Sequence, residues 1–139
     1  MTGEHTTEIL FIYEEENNKT AVNGLFHDNH LYCRLTCIRY GDEIYNLLFS
    51  GETKNNLAVA PALVLIDLPH RRTMDAVMKV KAHPQLAKTP VVVTVASGEM
   101  PGVEIFYGFG ISAHMAKPVT YGDFARVMIR LGLFRLLLI

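Results

Sequence analysis

The chain has 139 residues, half of them hydrophobic, which is the size of one ordinary domain with a full core. Its 13 basic residues nearly balance its 14 acidic ones, so the strong positive charge of proteins that bind nucleic acid or anionic membranes is absent. Composition therefore predicts a single domain over residues 1–139, whose partners are proteins or small molecules.

The two terminal segments and the two cysteines indicate the cellular compartment of the protein. Residues 1–8 are polar and lack the pattern of a signal peptide, and the apolar segment 131–139 is too short, and too interrupted by Arg135, to span a bilayer. On one strand, Cys33 and Cys37 would lie about 13 Å apart, beyond the reach of a disulfide. We therefore expect a cytoplasmic protein with buried, reduced thiols.

Short apolar runs alternate with segments of helical period, as is typical of parallel strands with helices on both faces of the sheet. The predicted strands are 9–13, 33–38, 62–66, 91–95 and 112–116. Asn17 or Asn18 is the expected N-cap of the first helix. The inward faces of the helices are expected to carry Ala21, Val22, Leu25 and Phe26, then Ile44, Leu47 and Leu48, then Met74, Val77 and Met78, then Val103, Phe106 and Tyr107, and finally Phe124, Val127, Met128, Leu131 and Phe134. The third strand, as the most apolar of the first three, is placed at the centre of the sheet.

Polar side chains stand at the carboxyl ends of four predicted strands. They are Glu14 and Glu15 after the first, Asp67 after the third, Thr94 before Val95 in the fourth, and Lys117 after the fifth. Chemistry in an open α/β sheet gathers at this edge, so the carboxylates and the lysine are expected to converge. Carboxylate oxygens suit Mg²⁺, and Asp67 between Mg²⁺ and Lys117 could attack a phosphoryl group to give an aspartyl phosphate.

Three features together resemble the receiver domain of two-component response regulators, over essentially the whole chain. They are the acidic residues after the first strand, Asp67 at the end of an apolar strand, and the segment 110–118 that ends in Lys117-Pro118. The stretches 81–86 and 131–134 are most similar to stand-alone receivers that accompany phytochrome-type sensor kinases. The resemblance implies a doubly wound, CheY-like sheet of five parallel strands in the order 2-1-3-4-5, with a histidine kinase as the phosphodonor.

Carried over residue by residue, the resemblance implies that Asp67 is the phosphoacceptor and Lys117 its ion-pair partner, with a cis peptide bond before Pro118. Glu14 or Glu15, Asp67 and the backbone carbonyl of Pro69 would hold Mg²⁺.

The sequence also departs from the family pattern. Tyr13 falls on the first of two acidic positions, so Mg²⁺ is expected to bind weakly. Val95 falls where the family has a Ser or Thr hydroxyl, and Thr94, one residue earlier, is expected to face the other side of the sheet. The segment 68–73, with its basic residues beside the site, is shorter than the usual loop. His114 replaces the aromatic that typically couples to the hydroxyl.

Three functions remain open at this stage. The first is a response regulator phosphorylated on Asp67, which passes its signal on through the face formed by the fourth and fifth helices. The second is a phosphorylation-independent pseudo-receiver, in which Tyr13 and Val95 have removed the metal site and the switch. The third, an enzyme on the same type of sheet, ranks last because no Gly-rich phosphate loop or nucleophile elbow is present.

The C-terminal helix is predicted to continue into the apolar residues 133–139. One helix face cannot bury them all, so a homodimer through this helix is predicted, with a tail folded back over its own domain as the competing explanation.

Overall fold

A computed structural model of the chain describes residues 7–31, 33–50 and 57–137. The strands are β1 (Thr7–Tyr13), β2 (Cys33–Arg39), β3 (Leu63–Asp67), β4 (Val91–Val95) and β5 (Ala113–Ala116). The helices are α1 (Glu16–Asp28), α2 (Glu43–Leu48), α3 (His70–Ala82), α4 (Glu104–Gly108) and α5 (Tyr121–Arg130), with 3₁₀ segments at Ser97–Gly102 and Phe134–Leu137. All strand pairs are parallel and their order is β2-β1-β3-β4-β5, so the predicted fold class is confirmed.

Each face of the sheet carries its own apolar cluster, because successive side chains of a strand point to opposite faces. The cluster on the α3 side contains Leu10, Ile12, Val64, Ile66, Val93, Val95, Tyr45, Val77 and Phe106. The cluster on the α1 and α5 side contains Ile9, Phe11, Tyr13, Leu65, Val92, Met115, Val22, Phe124 and Leu136. All residues of β3 and β4 are buried, which explains why these strands are apolar runs without alternation.

The helices start and face differently from the sequence expectation in several places. Ala21, Tyr107 and Phe134, which were expected to face inward, are exposed. Helix α1 begins at Glu16 with Glu15 as N-cap, so the prediction of Asn17 or Asn18 is wrong. In α2, Ile44 and Leu47 are exposed, and the buried residues are Tyr45 and Leu48. In α3, Met78 is exposed, while Thr73, Ala76, Val77 and Val80 are buried.

Aromatic packing explains the rotation of α2. The ring of Tyr45 lies 4.9 Å from the rings of both Tyr40 and Phe49, measured between centroids. Burial of a large ring between two others contributes more than burial of a single aliphatic side chain, so Tyr45 determines which face of this six-residue helix turns inward.

The C-terminal helix stops earlier than predicted. Gly132 has a φ of 75°, and Gly132 and Leu133 donate backbone hydrogen bonds to the carbonyls of Ile129 and Met128, a Schellman-type end. The chain then folds back, and Leu136 becomes fully buried in its own domain. The predicted continuous helix is therefore wrong because a glycine with positive φ ends it; residues 138–139 lie outside the described part.

The structure contains Cys33 and Cys37 as free thiols, both half-buried. Burial raises the pKa of the Cys33 thiol to about 11. Within the described ranges, no helix has the length and apolar character needed to cross a membrane.

Candidate functional site

Asp67 is the last residue of β3 and is 6% exposed. Its register partner on β1 is Tyr13. On β4, Thr94 stands one residue beyond the pair formed by Ile66 and Val93. Residues in register on parallel strands point to the same face of a sheet, so Tyr13, Asp67 and Thr94 form a row on the α1 and α5 face.

Thr94 holds the carboxylate of Asp67. Its Oγ1 donates to Oδ1 of Asp67 at 2.6 Å, and the Thr94 side chain is 2% exposed. A short hydroxyl–carboxylate bond of this kind is charge-assisted and stronger than a neutral one. The expectation that Thr94 points away from the site is therefore wrong.

Val95 faces the opposite side of the sheet. It is 1% exposed and belongs to the apolar cluster on the α3 side. Counting from Pro90 locates a residue along β4, but the register with β3 decides which residue shares a face with Asp67. The site thus has a hydroxyl on Asp67, which comes from Thr94 and not from Val95.

Lys117 reaches the residue after Asp67. Its Nζ donates to the backbone carbonyl of Leu68 at 2.7 Å, and the peptide bond between Lys117 and Pro118 is cis, as predicted. Leu68 is fully buried, so its carbonyl needs a donor from within the protein. Among the described residues, the predicted ion pair of Lys117 with Asp67 is not formed, and the ammonium binds the carbonyl of Leu68.

Pro69 is the N-cap of α3, and its carbonyl is occupied. The oxygen accepts from the amides of Arg72 and Thr73 at 2.9 and 3.0 Å, and Oγ1 of Thr73 lies 3.1 Å from it and 3.2 Å from the carbonyl oxygen of Leu68. The connection from Asp67 is so short that α3 begins at His70 and takes this carbonyl into its first turn. The predicted role of Pro69 as a metal ligand is thus not supported by this conformation.

The acidic residues after β1 diverge rather than converge. Glu14 forms an ion pair with Arg72, Glu15 is exposed, and Glu16 accepts from the hydroxyl of Tyr13 at 3.3 Å. Burial, followed by the charge of Glu16, raises the pKa of Tyr13. In residues 7–31, 33–50 and 57–137, no three His, Cys, Asp or Glu side chains are grouped to hold a metal. The predicted ligands therefore do not fit Mg²⁺ in this conformation.

Arg72 is a site residue whose role the sequence did not reveal. Besides the ion pair with Glu14, its guanidinium lies over the ring of Tyr40, 5.7 Å from the centroid. The shortness of the segment after Asp67 was the available signal, because it places the first turn of α3, and hence Arg72, at this edge of the sheet.

Two histidines, His70 and His114, contact α4. Nδ1 of His114 is 2.8 Å from the hydroxyl of Tyr107. The ring of His70 lies 5.0 Å from that of Phe106, and its Nδ1, which has no hydrogen-bond partner, is 3.9 Å from Oε1 of Glu99. These contacts link the start of α3 and the face of β5 to α4.

Comparison with known proteins shows the fold. No protein-family model and no curated protein matches the chain. Among solved structures, the bacteriophytochrome response regulator AtBRR is 24% identical with a TM-score of 0.73, covering 94% of this chain and 95% of that one. The phosphorylated cyanobacterial phytochrome response regulator RcpA is 18% identical, with a TM-score of 0.67 and 94% of each chain covered. The receiver domain of the sensor histidine kinase PA1611 from Pseudomonas aeruginosa, with magnesium in its active-site cleft, is 19% identical, with a TM-score of 0.65, covering 90% of this chain and 96% of that one. The chain thus has the receiver-domain fold.

Proposed function

We propose that this chain, which has the fold of a response-regulator receiver domain, is a response regulator that accepts a phosphoryl group on Asp67 from a histidine kinase and signals through protein contacts. The observation that carries the proposal is the placement of Asp67 at the carboxyl end of the central strand, with the hydroxyl of Thr94 on its carboxylate. The likeness to RcpA, described as phosphorylated, supports it.

The proposed reaction is a transfer from nitrogen to oxygen. A carboxylate oxygen of Asp67 forms a bond to phosphorus and the P–N bond of the kinase phosphohistidine breaks, with its electron pair staying on nitrogen. The imidazole leaves neutral, with the proton that its other ring nitrogen already carried. The bond from Thr94 holds Oδ1 in place, which leaves Oδ2 for the attack in this proposal. Lys117, bound to the neighbouring Leu68 carbonyl, supplies positive charge near the transferred oxygens. The chemistry is limited to gain and loss of this phosphoryl group.

Mg²⁺ is the cofactor that the resemblance implies, and the PA1611 receiver domain holds one. In this chain the predicted ligands are otherwise engaged, since Glu14 pairs with Arg72 and the Pro69 carbonyl belongs to α3. The weak Mg²⁺ binding predicted from the sequence would require rearrangement of both contacts. The proposed transfer assigns no role to the metal.

Intact-mass measurement after incubation with acetyl phosphate, with and without Mg²⁺, tests the proposal. The wild type should gain one phosphoryl group, and Asp67→Asn should gain none. Asp123→Asn is the matched control, because it removes an aspartate from the first turn of α5 and should be phosphorylated like the wild type. No gain under any condition rejects phosphorylation on Asp67.

A phosphorylation-independent pseudo-receiver is the second candidate. It is favoured by the burial of Asp67, whose carboxylate already has a hydrogen-bond partner within the domain. In that case a partner protein should bind wild type and Asp67→Asn with equal affinity, whereas the first proposal expects the phosphoryl group to change that affinity.

We also propose a cytoplasmic location and a homodimer through the C-terminal helix. With Leu133 and Leu136 buried within the chain, the large apolar side chains exposed on the described part of this segment are Tyr121, Ile129 and Phe134, and the last two are the most exposed. Light scattering tests the dimer: Ile129→Glu with Phe134→Glu should convert it to a monomer, and a monomeric wild type at high concentration ends this proposal.

A further inference from the structure

The two carboxylate oxygens of Glu14 have different surroundings. Its side chain is 21% exposed, and Oε1 is buried without a hydrogen-bond partner, while Oε2 is paired with Arg72. A half-buried carboxylate with one oxygen that lacks a hydrogen-bond partner needs a nearby positive charge to remain ionised. Arg72 provides that charge.

The position of Arg72 is determined by several contacts. The guanidinium lies over the ring of Tyr40, and the Tyr40 hydroxyl donates to Asp75, one turn further along α3, at 2.9 Å. The amide of Tyr40 donates to the carbonyl of Tyr13 at 2.7 Å. The arginine is thus held between the ends of β1 and β2 and the first turn of α3, where a planar cation can stack and pair at once.

We propose that Arg72 takes the place of a divalent cation at this edge of the sheet. Its guanidinium neutralises Glu14, so the acidic edge needs no bound metal, and Mg²⁺ gains access to Glu14 only when Arg72 is removed. The inference rests on the proposed function for the location of the site at Asp67. It does not depend on whether Asp67 becomes phosphorylated.

The test is Mg²⁺ affinity, measured by titration calorimetry without any phosphodonor and checked with Mn²⁺ by electron paramagnetic resonance. The wild type should bind Mg²⁺ weakly, and Glu14→Gln should not lower its Mg²⁺ affinity further. Arg72→Gln should bind roughly fivefold tighter or more, as expected when a half-exposed ion pair no longer competes. Adding Glu14→Gln to Arg72→Gln should abolish that gain.

Two further variants make the test specific. Arg71→Gln removes the same charge from the neighbouring exposed position and should leave Mg²⁺ affinity at the wild-type value. Arg72→Lys keeps the positive charge and should also bind Mg²⁺ weakly. Circular dichroism melts verify that each variant is folded.

The proposal is overturned if the wild type binds Mg²⁺ tightly and Glu14→Gln loses that binding. It is also overturned if Arg71→Gln and Arg72→Gln gain Mg²⁺ affinity equally. Phosphorylation is measured separately by intact mass, both in EDTA and with Mg²⁺. If Asp67 is never phosphorylated but Arg72→Gln gains Mg²⁺ affinity, the proposed function fails and this inference stands. Phosphorylation of Asp67 without any such gain rejects the inference alone.

Discussion

Replacement of Thr94 by valine removes the hydroxyl that donates to Asp67 and keeps the shape of the side chain. The bond is 2.6 Å long, ends on a carboxylate, and joins residues that are 2% and 6% exposed. A hydrogen bond to a charged group contributes about 1.5–3 kcal/mol to stability. Because water has little access to Asp67, Thr94→Val is expected to lower the free energy of unfolding by about 2 kcal/mol.

The assay is urea denaturation followed by circular dichroism, arranged as a double-mutant cycle with Asp67→Ala. If the two side chains interact as the structure shows, the coupling energy should be about 1–2 kcal/mol. The matched control is Thr36→Val, since Thr36 also donates to a carboxylate, Glu8, at 2.6 Å in a half-buried position away from the site. Thr36→Val should show no coupling to Asp67→Ala.

A coupling energy between Thr94 and Asp67 below about 0.5 kcal/mol would refute this reasoning, because distant, independent residues already add to within that margin. Equal coupling for Thr36 and Thr94 would also refute it, since a general response to the loss of Asp67 would then explain both.

Three further predictions concern other parts of the chain. Val95→Thr, which places a hydroxyl in an apolar cluster, should cost about 1–3 kcal/mol of unfolding free energy in urea melts and should not increase phosphorylation of Asp67. Gly132→Ala should destabilise by about 1 kcal/mol because φ is 75°, whereas Gly122→Ala in α5, where an added Cβ meets nothing within 4 Å, should be neutral or stabilising in the same melts. The pKa of Cys33 is raised from 9.0 to about 11, so the folded state retains the thiol proton more strongly than the unfolded state. The contribution of the protonated thiol to stability should be present below pH 9 and lost as the pH rises to about 11. Cys33→Ala should flatten this part of a profile of stability against pH.

A parallel sheet with helices on both faces could be predicted from the sequence, because the third and fourth strands are apolar runs and the connections have a helical period. The strand order was implied by the resemblance to receiver domains. The location of Asp67 and Lys117 at the same edge of the sheet followed from that pattern. The face of the sheet that a residue occupies did not follow, because it depends on the register between β3 and β4. A shift of one residue in this register determines whether Thr94 or Val95 lies on the same face of the sheet as Asp67.

The other differences have local causes. The sequence indicated a short connection after Asp67, but where α3 begins depends on whether Pro69 caps it, and that choice removed a predicted metal ligand. The end of α5 was open to prediction, since Gly132 directly follows the last helical residues and glycine is common at helix ends. The apolar residues beyond it were instead interpreted as more helix.

The early start of α3 also changes the sign of the backbone charge near Asp67. A longer connection would present a free carbonyl, the negative end of a peptide dipole. Here α3 begins three residues after Asp67 and runs for 13 residues, so the positive end of its dipole, equivalent to about half an elementary charge, lies close along the chain. A helix end of this kind favours an anion nearby by about 0.3–1 kcal/mol. The backbone thus adds to the positive charge that Arg72 and Lys117 bring to an edge of the sheet otherwise lined with carboxylates.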